Sequence, residues 1–279
     1  MTNLVGGLVS RGRSRMNDGP HRERVERLHP WFALQLQFAE VFASKAGVPL
    51  DTAVTFYTNL HRRFGFGRPS ANGRSPEWES FVQELVSLRM QAERIVCTKA
   101  FAQARLANWR NASDRQFGCF SFELLEDGVV RLHFAPNDQD DGVGPLSRLK
   151  YARRIEDLTE MFAHIRRQHP VDARYVVGGS WLYNLEAYRR LFPAAYVASL
   201  RVHTTPSALF GGSWWGQFVD RNENIVAERA RTFSENLAYL DAAEVWKVFP
   251  LPALIARADI DVFHEHYGSN SPVFSRTIE

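Results

Sequence analysis

The hydrophobic repeat of this chain changes period near residue 110, and that change limits the folds open to it. Before about residue 110, apolar side chains recur at three- and four-residue steps, the spacing of a buried helix face. Trp31, Leu34, Phe38, Val41 and Phe42 form one such stripe, and Gly47-Val48-Pro49 ends it. Asp51 can cap a second helix with Val54, Tyr57, Thr58 and His61 along one side, stopped by Gly65 and Gly67. Ser75-Pro76-Glu77 opens a third helix, which Trp78, Phe81, Leu85, Leu88 and Ile95 carry toward residue 96, with a continuation to Trp109. From Phe120 the period is two, the signature of a strand with one buried face.

The two strands of this second region set their own register. A two-residue Asp-Gly turn would pair Leu124 with Arg131 and Glu123 with Leu132, mixing polar and apolar groups on both faces. A three-residue loop of Glu126, Asp127 and Gly128 pairs Leu124 with Val130, Phe122 with Leu132 and Phe120 with Phe134. The other face then pairs Glu123 with Arg131 and Ser121 with His133, and this register is the one expected. A long helix is predicted from near Ser147 to His169-Pro170, with Leu149, Ala152, Ile155, Leu158, Phe162 and Ile165 inward and Arg148, Lys150, Arg153, Arg154, Asp157 and Glu160 outward. A strand at 174–177, a helix at 186–191 and a strand at 196–202 follow. Residues 208–220 read as another strand, and helices are predicted from Asn224 to about Leu240 and from Pro252 to Tyr267. The expected class is therefore α+β or α/β: an arm at 1–28, a helical part at 29–112 packed on a mixed sheet, and the sheet with its covering helices at 113–279.

Composition narrows the function classes. With 45% hydrophobic residues the chain can form a substantial core, and no stretch approaches the roughly 20 apolar residues of a membrane span. Residues 1–28 carry Arg11, Arg13, Arg15, Arg22, Arg24 and Arg27 without an apolar run between them, so they read as an arm and not as a secretory leader. A cytoplasmic protein is expected. A net charge of +3 is too small to predict nucleic acid as a partner. Cys97 and Cys119 lack metal-ligand spacing, and no metal or disulfide framework is predicted.

Three places can carry chemistry. The first is the strand, glycine-bearing loop and helix start around Gly142, Val143, Gly144, Ser147 and Arg148, where main-chain amides can meet a diphosphate. It has neither the Walker nor the GxGxxG pattern, and Asp138, Asp140 and Asp141 stand beside it, so an ordinary strand-to-helix turn is the competing reading. The second is His133 with Glu123, a histidine and a carboxylate able to take a proton, or a merely solvated sheet face. The third is Gly178-Gly179-Ser180-Trp181-Leu182-Tyr183-Asn184, where Tyr183 can donate a proton or the segment can be a sharp corner plugged into the core. Trp214-Trp215 could line an acyl slot or pack in the core.

The order of segments resembles two-domain putative acyltransferases with a GNAT-like C-terminal domain. The residues carrying the likeness are Leu132-His133-Phe134-Ala135-Pro136, Gly144-Pro145-Leu146-Ser147, Ser180-Trp181-Leu182-Tyr183-Asn184 and Leu191-Phe192-Pro193. In the helical half Gly47-Val48-Pro49, the Trp78 segment and Phe117-Gly118-Cys119-Phe120-Ser121-Phe122-Glu123 match in the same order. The resemblance implies an acyl-thioester donor, acyl-CoA, as a co-substrate and no tightly bound cofactor. Its diphosphate would lie near Gly142 to Ser147, and a small molecule would supply the accepting amine or hydroxyl. His133 or Glu123 would take the acceptor's proton and Tyr183 would protonate the leaving thiolate. The alternative is a non-catalytic binding or assembly module that uses residues 1–28 or 208–220 for protein contacts.

Overall fold

The computed structural model of the protein describes residues 19–70, 75–105, 116–137 and 142–268. The helical region holds α1 (Gly19–Ala46), α2 (Leu50–Tyr57), the short α3 (Leu60–Arg63), α4 (Pro76–Ser87) and α5 (Gln91–Arg105). The single helix expected from Asp51 through His61 is broken between α2 and α3, where Thr58 is extended and the Asn59 amide donates to the buried Gln35 side chain. Residues 19–28, expected in the arm, belong instead to α1, because Val25 and Leu28 are fully buried and extend the stripe one heptad upstream. The helix continues through Pro30, whose missing amide is offset by that burial. The single helix expected across residues 76–96 is two, with Leu88 extended between them; Trp109 lies outside the described residues.

This helical layer shares its core with a distant segment. Trp214, Trp215, Phe218, Phe233, Leu237 and Phe249 join Phe32, Phe38, Phe64 and Trp78 in one apolar cluster. The Phe38 ring lies 5.3 Å from Trp215 and 6.0 Å from Phe249, and the Trp31 indole donates to the Trp215 carbonyl at 3.0 Å. Residues 209–253 therefore fold with the helices, whereas the period reading groups them with the sheet.

The strands are β1 (Gln116–Phe117), β2 (Phe120–Leu124) and β3 (Val129–Phe134). They are followed by the long helix α6 (Tyr151–Gln168), β4 (Tyr175–Ser180), α7 (Glu186–Arg189), α8 (Ala194–Ala198) and β5 (Arg201–Val202). Next come α9 (Gly212–Trp215), α10 (Ala227–Leu237), β6 (Leu254–Asp259) and α11 (Ile260–Gly268). They build one mixed sheet in the order β1-β2-β3-β4-β6-β5. The hairpin has the register argued from face uniformity, with Phe120 opposite Phe134, Phe122 opposite Leu132 and Leu124 opposite Val130. Glu126, Asp127 and Gly128 form the loop, with Gly128 at φ 72°. β3 and β4 run parallel, joined through α6, and β6 inserts antiparallel between β4 and β5.

Several predicted elements need correction. Residues 254–259, read as helix, are β6: Ala256 and Ala258 suit a helix locally, but six backbone pairs with β4 hold the segment extended. Tyr196 belongs to α8 and not to a strand; only Arg201–Val202 pairs, at the sheet edge. Residues 208–220 hold helical turns in place of a strand, and α10 starts at Ala227, since the Asn224 amide donates to Asp220.

One sheet face, with Phe120, Val130, Leu132, Val176 and Ala256, meets Leu158, Phe162, Ile165, Phe263 and Tyr267 of α6 and α11 in a second core. α6 turns differently from its predicted orientation. Leu149 is 85% exposed, while Arg154 and Asp157, expected in solvent, are 1% and 4% exposed. The buried stripe is Arg154, Asp157, Leu158, Met161, Phe162 and Ile165, a regular helical repeat whose first turn is an ion pair. No helix among the described residues is long and apolar enough to cross a membrane.

Candidate functional site

The carboxyl ends of the parallel strands are where an α/β sheet most readily holds a ligand. Here they diverge. The β3–β4 ladder pairs Val129 with Tyr175, Val130 with Val176 and Arg131 with Val177, and then stops. Leu132 to Phe134 and Gly178 to Ser180 continue as strands without pairing to each other. The two strands therefore part at their carboxyl ends, each keeping its other neighbour, β2 for β3 and β6 for β4.

His133 and Glu123 meet there, on the face turned away from α6. The His133 Nε2 lies 3.5 Å from Glu123 Oε2, and Arg131 Nη1 lies 3.3 Å from the same oxygen. Their side chains are 38% and 51% exposed, so both reach solvent. Burial lowers the imidazole below its ordinary value; the Glu123 carboxylate works against this, and the Arg62 and Arg131 charges add to it. His133 is therefore neutral at neutral pH and able to accept a proton. Ser121 stands opposite it on β2.

Tyr183 does not join them. Gly178 alternates with Val176 on the face covered by α6, and a Cβ on Gly178 would stand 2.2 Å from the Tyr183 hydroxyl and 2.3 Å from that of Tyr196. Tyr183 is 1% exposed, on the opposite side of the sheet from His133, with its hydroxyl 2.7 Å from Tyr196. Burial, then the neighbouring tyrosines, raise its phenol well above the ordinary value, so it stays protonated. Gly178 is what lets these rings lie under the strand. Gly178→Ala is expected to lower stability by about 1–3 kcal/mol, because neither ring has room to retreat; an unchanged urea midpoint would refute the close approach.

The loop expected to hold a diphosphate is partly described. Gly142 is in the left-handed region at φ 78°, Arg221 donates to the Val143 carbonyl at 3.1 Å, and the Ser147 amide donates to Gly144 at 3.0 Å. The Ser147 amide is therefore already occupied. The loop ends in a short 3-10 turn, Arg148–Lys150, so α6 begins at Tyr151 and not at Ser147. Two buried polar atoms there have no hydrogen-bond partner among the described residues: Ser147 Oγ and Arg190 Nε. Arg190 reaches the loop through Leu146, whose carbonyl accepts from Nη2 at 3.4 Å, and lies over the Tyr151 ring. Arg148 is exposed. The acidic run 138–141 lies outside the described residues.

Sequence reasoning missed Arg62, Arg190 and the diverging strand ends. Arg62 in α3 and Arg190, capping α7, both look solvated in any one-dimensional reading. Trp214 and Trp215, weighed as an acyl slot or partner surface, are 1% and 0% exposed in the core. Cys119 is buried, as expected of a small hydrophobe, and accepts from Arg154. No group of three His, Cys, Asp or Glu suited to a metal occurs among the described residues.

Histidine burial also sets a pH dependence. His133, His203, His264 and His266 all lie below the ordinary value of 6.5, each mainly through burial. The unfolded chain then takes protons at a higher pH than the folded one, so stability falls as pH drops through 6.5 toward the folded values. Glu223 extends the loss. Burial pushes its carboxyl up, but the Arg24 hydrogen bond and the Arg63 and Arg24 charges bring it below 4.5, and that stabilisation disappears as pH falls through the folded value. Urea midpoints are expected to be lower at about pH 5.5 than at about pH 7.5; a higher midpoint in acid would contradict this sign.

Comparison of the chain with family models, with curated proteins and with solved structures gives no match.

Proposed function

We propose that this protein is an acyltransferase, moving an acyl group from a thioester donor, acyl-CoA, to the amine or hydroxyl of a small molecule. The observation that carries the reading is the end of the β3–β4 ladder at Arg131 and Val177, with the His133–Glu123 pair on the β3 segment that continues beyond it. A GNAT-like fold is part of the same proposal, supported by the order of hairpin, glycine-bearing loop, long helix and parallel strand. A cytoplasmic location goes with it, in keeping with two unbonded cysteines, Cys97 and Cys119.

In this reading the acceptor's nitrogen or oxygen attacks the thioester carbonyl while the His133 imidazole takes its proton. Glu123, 3.5 Å away, stabilises the imidazolium. The carbon–sulfur bond then breaks, and the imidazolium returns its proton to the departing thiolate. Tyr183, on the far side of the sheet, plays no part in these steps and packs with Tyr196 beneath Gly178. Ser147 Oγ and Arg190 Nε would meet the donor's diphosphate. Burial of Trp214 and Trp215 favours this reading over an assembly module, which needs such side chains at the surface.

A thermal-shift titration with acetyl-CoA and longer acyl-CoA thioesters tests it. The melting temperature should rise with ligand concentration and saturate, and acceptor amines should promote release of free thiol. A flat titration across the series would remove the donor site.

A further inference from the structure

A second site is built from residues that do not include His133 or its neighbours. Thr52, Phe56, Tyr57, Arg68, Pro69 and Phe210 line a cleft of about 210 Å³. Its walls are aromatic: Phe56 and Tyr57 come from α2, and Phe210 comes from the turn after β5, held by Asn59 donating to its carbonyl at 2.5 Å. The Tyr57 ring is braced by Phe42 at 4.4 Å, so this wall is rigid. At the edge stands one cation. The Arg68 guanidinium lies 5.6 Å from the Phe210 ring centre, oriented by the ring, and among the described residues it has no ion-pair partner. The Tyr57 hydroxyl also makes no hydrogen bond there. Asp51, the acid next to Thr52 in sequence, binds the Thr52 amide at 2.7 Å and hydroxyl at 3.3 Å.

We propose that this cleft binds a small carboxylate with an aromatic body, its ring between Phe56, Tyr57 and Phe210 and its carboxylate on Arg68 with the Tyr57 hydroxyl as second donor. The chemistry of the lining selects that class. One guanidinium fork and one phenol match the two oxygens of a planar monoanion, whereas a phosphate dianion would leave oxygens without donors among apolar walls. A cationic or neutral ring would bury the same area but gain nothing from Arg68. The inference is independent of acyl transfer, because none of its residues belongs to the His133 site.

Binding of phenylacetate, benzylamine and benzyl alcohol to the full chain, followed by calorimetry or saturation-transfer NMR, decides the matter. Phenylacetate is expected to saturate and to bind at least about tenfold tighter than the other two. Arg68→Glu should weaken phenylacetate by about tenfold or more and strengthen benzylamine. Arg68 is exposed, so this variant should melt with the wild type. Equal binding of the three compounds, no saturable phenylacetate binding, or an unchanged affinity in the Arg68→Glu protein would each overturn the proposal.

Discussion

Arg154→Ala is expected to lower the free energy of unfolding by about 3–5 kcal/mol, read as a fall in the urea midpoint with the slope unchanged. Arg154 and Asp157 are 1% and 4% exposed, with Nε and Oδ2 3.1 Å apart. The guanidinium also donates to the Cys119 sulfur, and the Asp157 carboxylate occupies the space where Gly118 has no side chain. Removing the arginine takes away the buried cation beside this carboxylate, while Arg153 at 3.2 Å is 67% exposed and screened by water. Truncation thus removes one partner of a buried pair, which costs more than the pair itself contributes. Replacing both residues, Arg154→Met with Asp157→Leu, should recover most of the loss, since no charge is then left in the core. A single variant as stable as the wild type, or a double variant no better than the single, would show that the pair does not act as a buried unit.

The second large effect concerns turnover. If His133 takes the acceptor's proton, His133→Ala should reduce kcat/KM by about 10²–10⁴-fold, equivalent to about 2.7–5.4 kcal/mol of barrier. The half-exposed side chain makes few core contacts, so stability should change little. Because burial and the arginines hold the imidazole low, the acid limb of the wild-type profile should fall below 6.5. Tyr183→Phe provides the contrast. It removes a buried hydroxyl bonded to Tyr196 and should cost about 1 kcal/mol of stability with kcat nearly intact. Full activity in His133→Ala, or collapse of kcat in a stable Tyr183→Phe protein, would move proton transfer to another group.

Much of the candidate site could be read along the chain. Ser121, Glu123, Arg131 and His133 share a face because strand side chains alternate, and only one turn length keeps each face uniform. That argument needs a dozen neighbouring residues and no tertiary information. Tyr183 shows where such reading stops. Its place relative to His133 depends on which side of the sheet the chain takes after Ser180, and the two tyrosine rings under Gly178 settle that. Charge alone predicts solvent for Arg154 and Asp157, although stepping back from Leu158 and Met161 by one helical turn lands on both.

Local pattern was therefore enough for α1 from Trp31 on, for the hairpin and its register, and for the pairing of His133 with Glu123, because each follows from side chains a few positions apart. Long-range packing alone chose the rest: β6 slipping between β4 and β5, residues 209–253 joining the helical core, and the divergence of β3 from β4. Those outcomes balance contacts between distant segments, as when Arg24 reaches Glu223 across 199 residues of sequence. No window of the chain contains both partners of such a contact, so its energy cannot be weighed until the fold has brought them together.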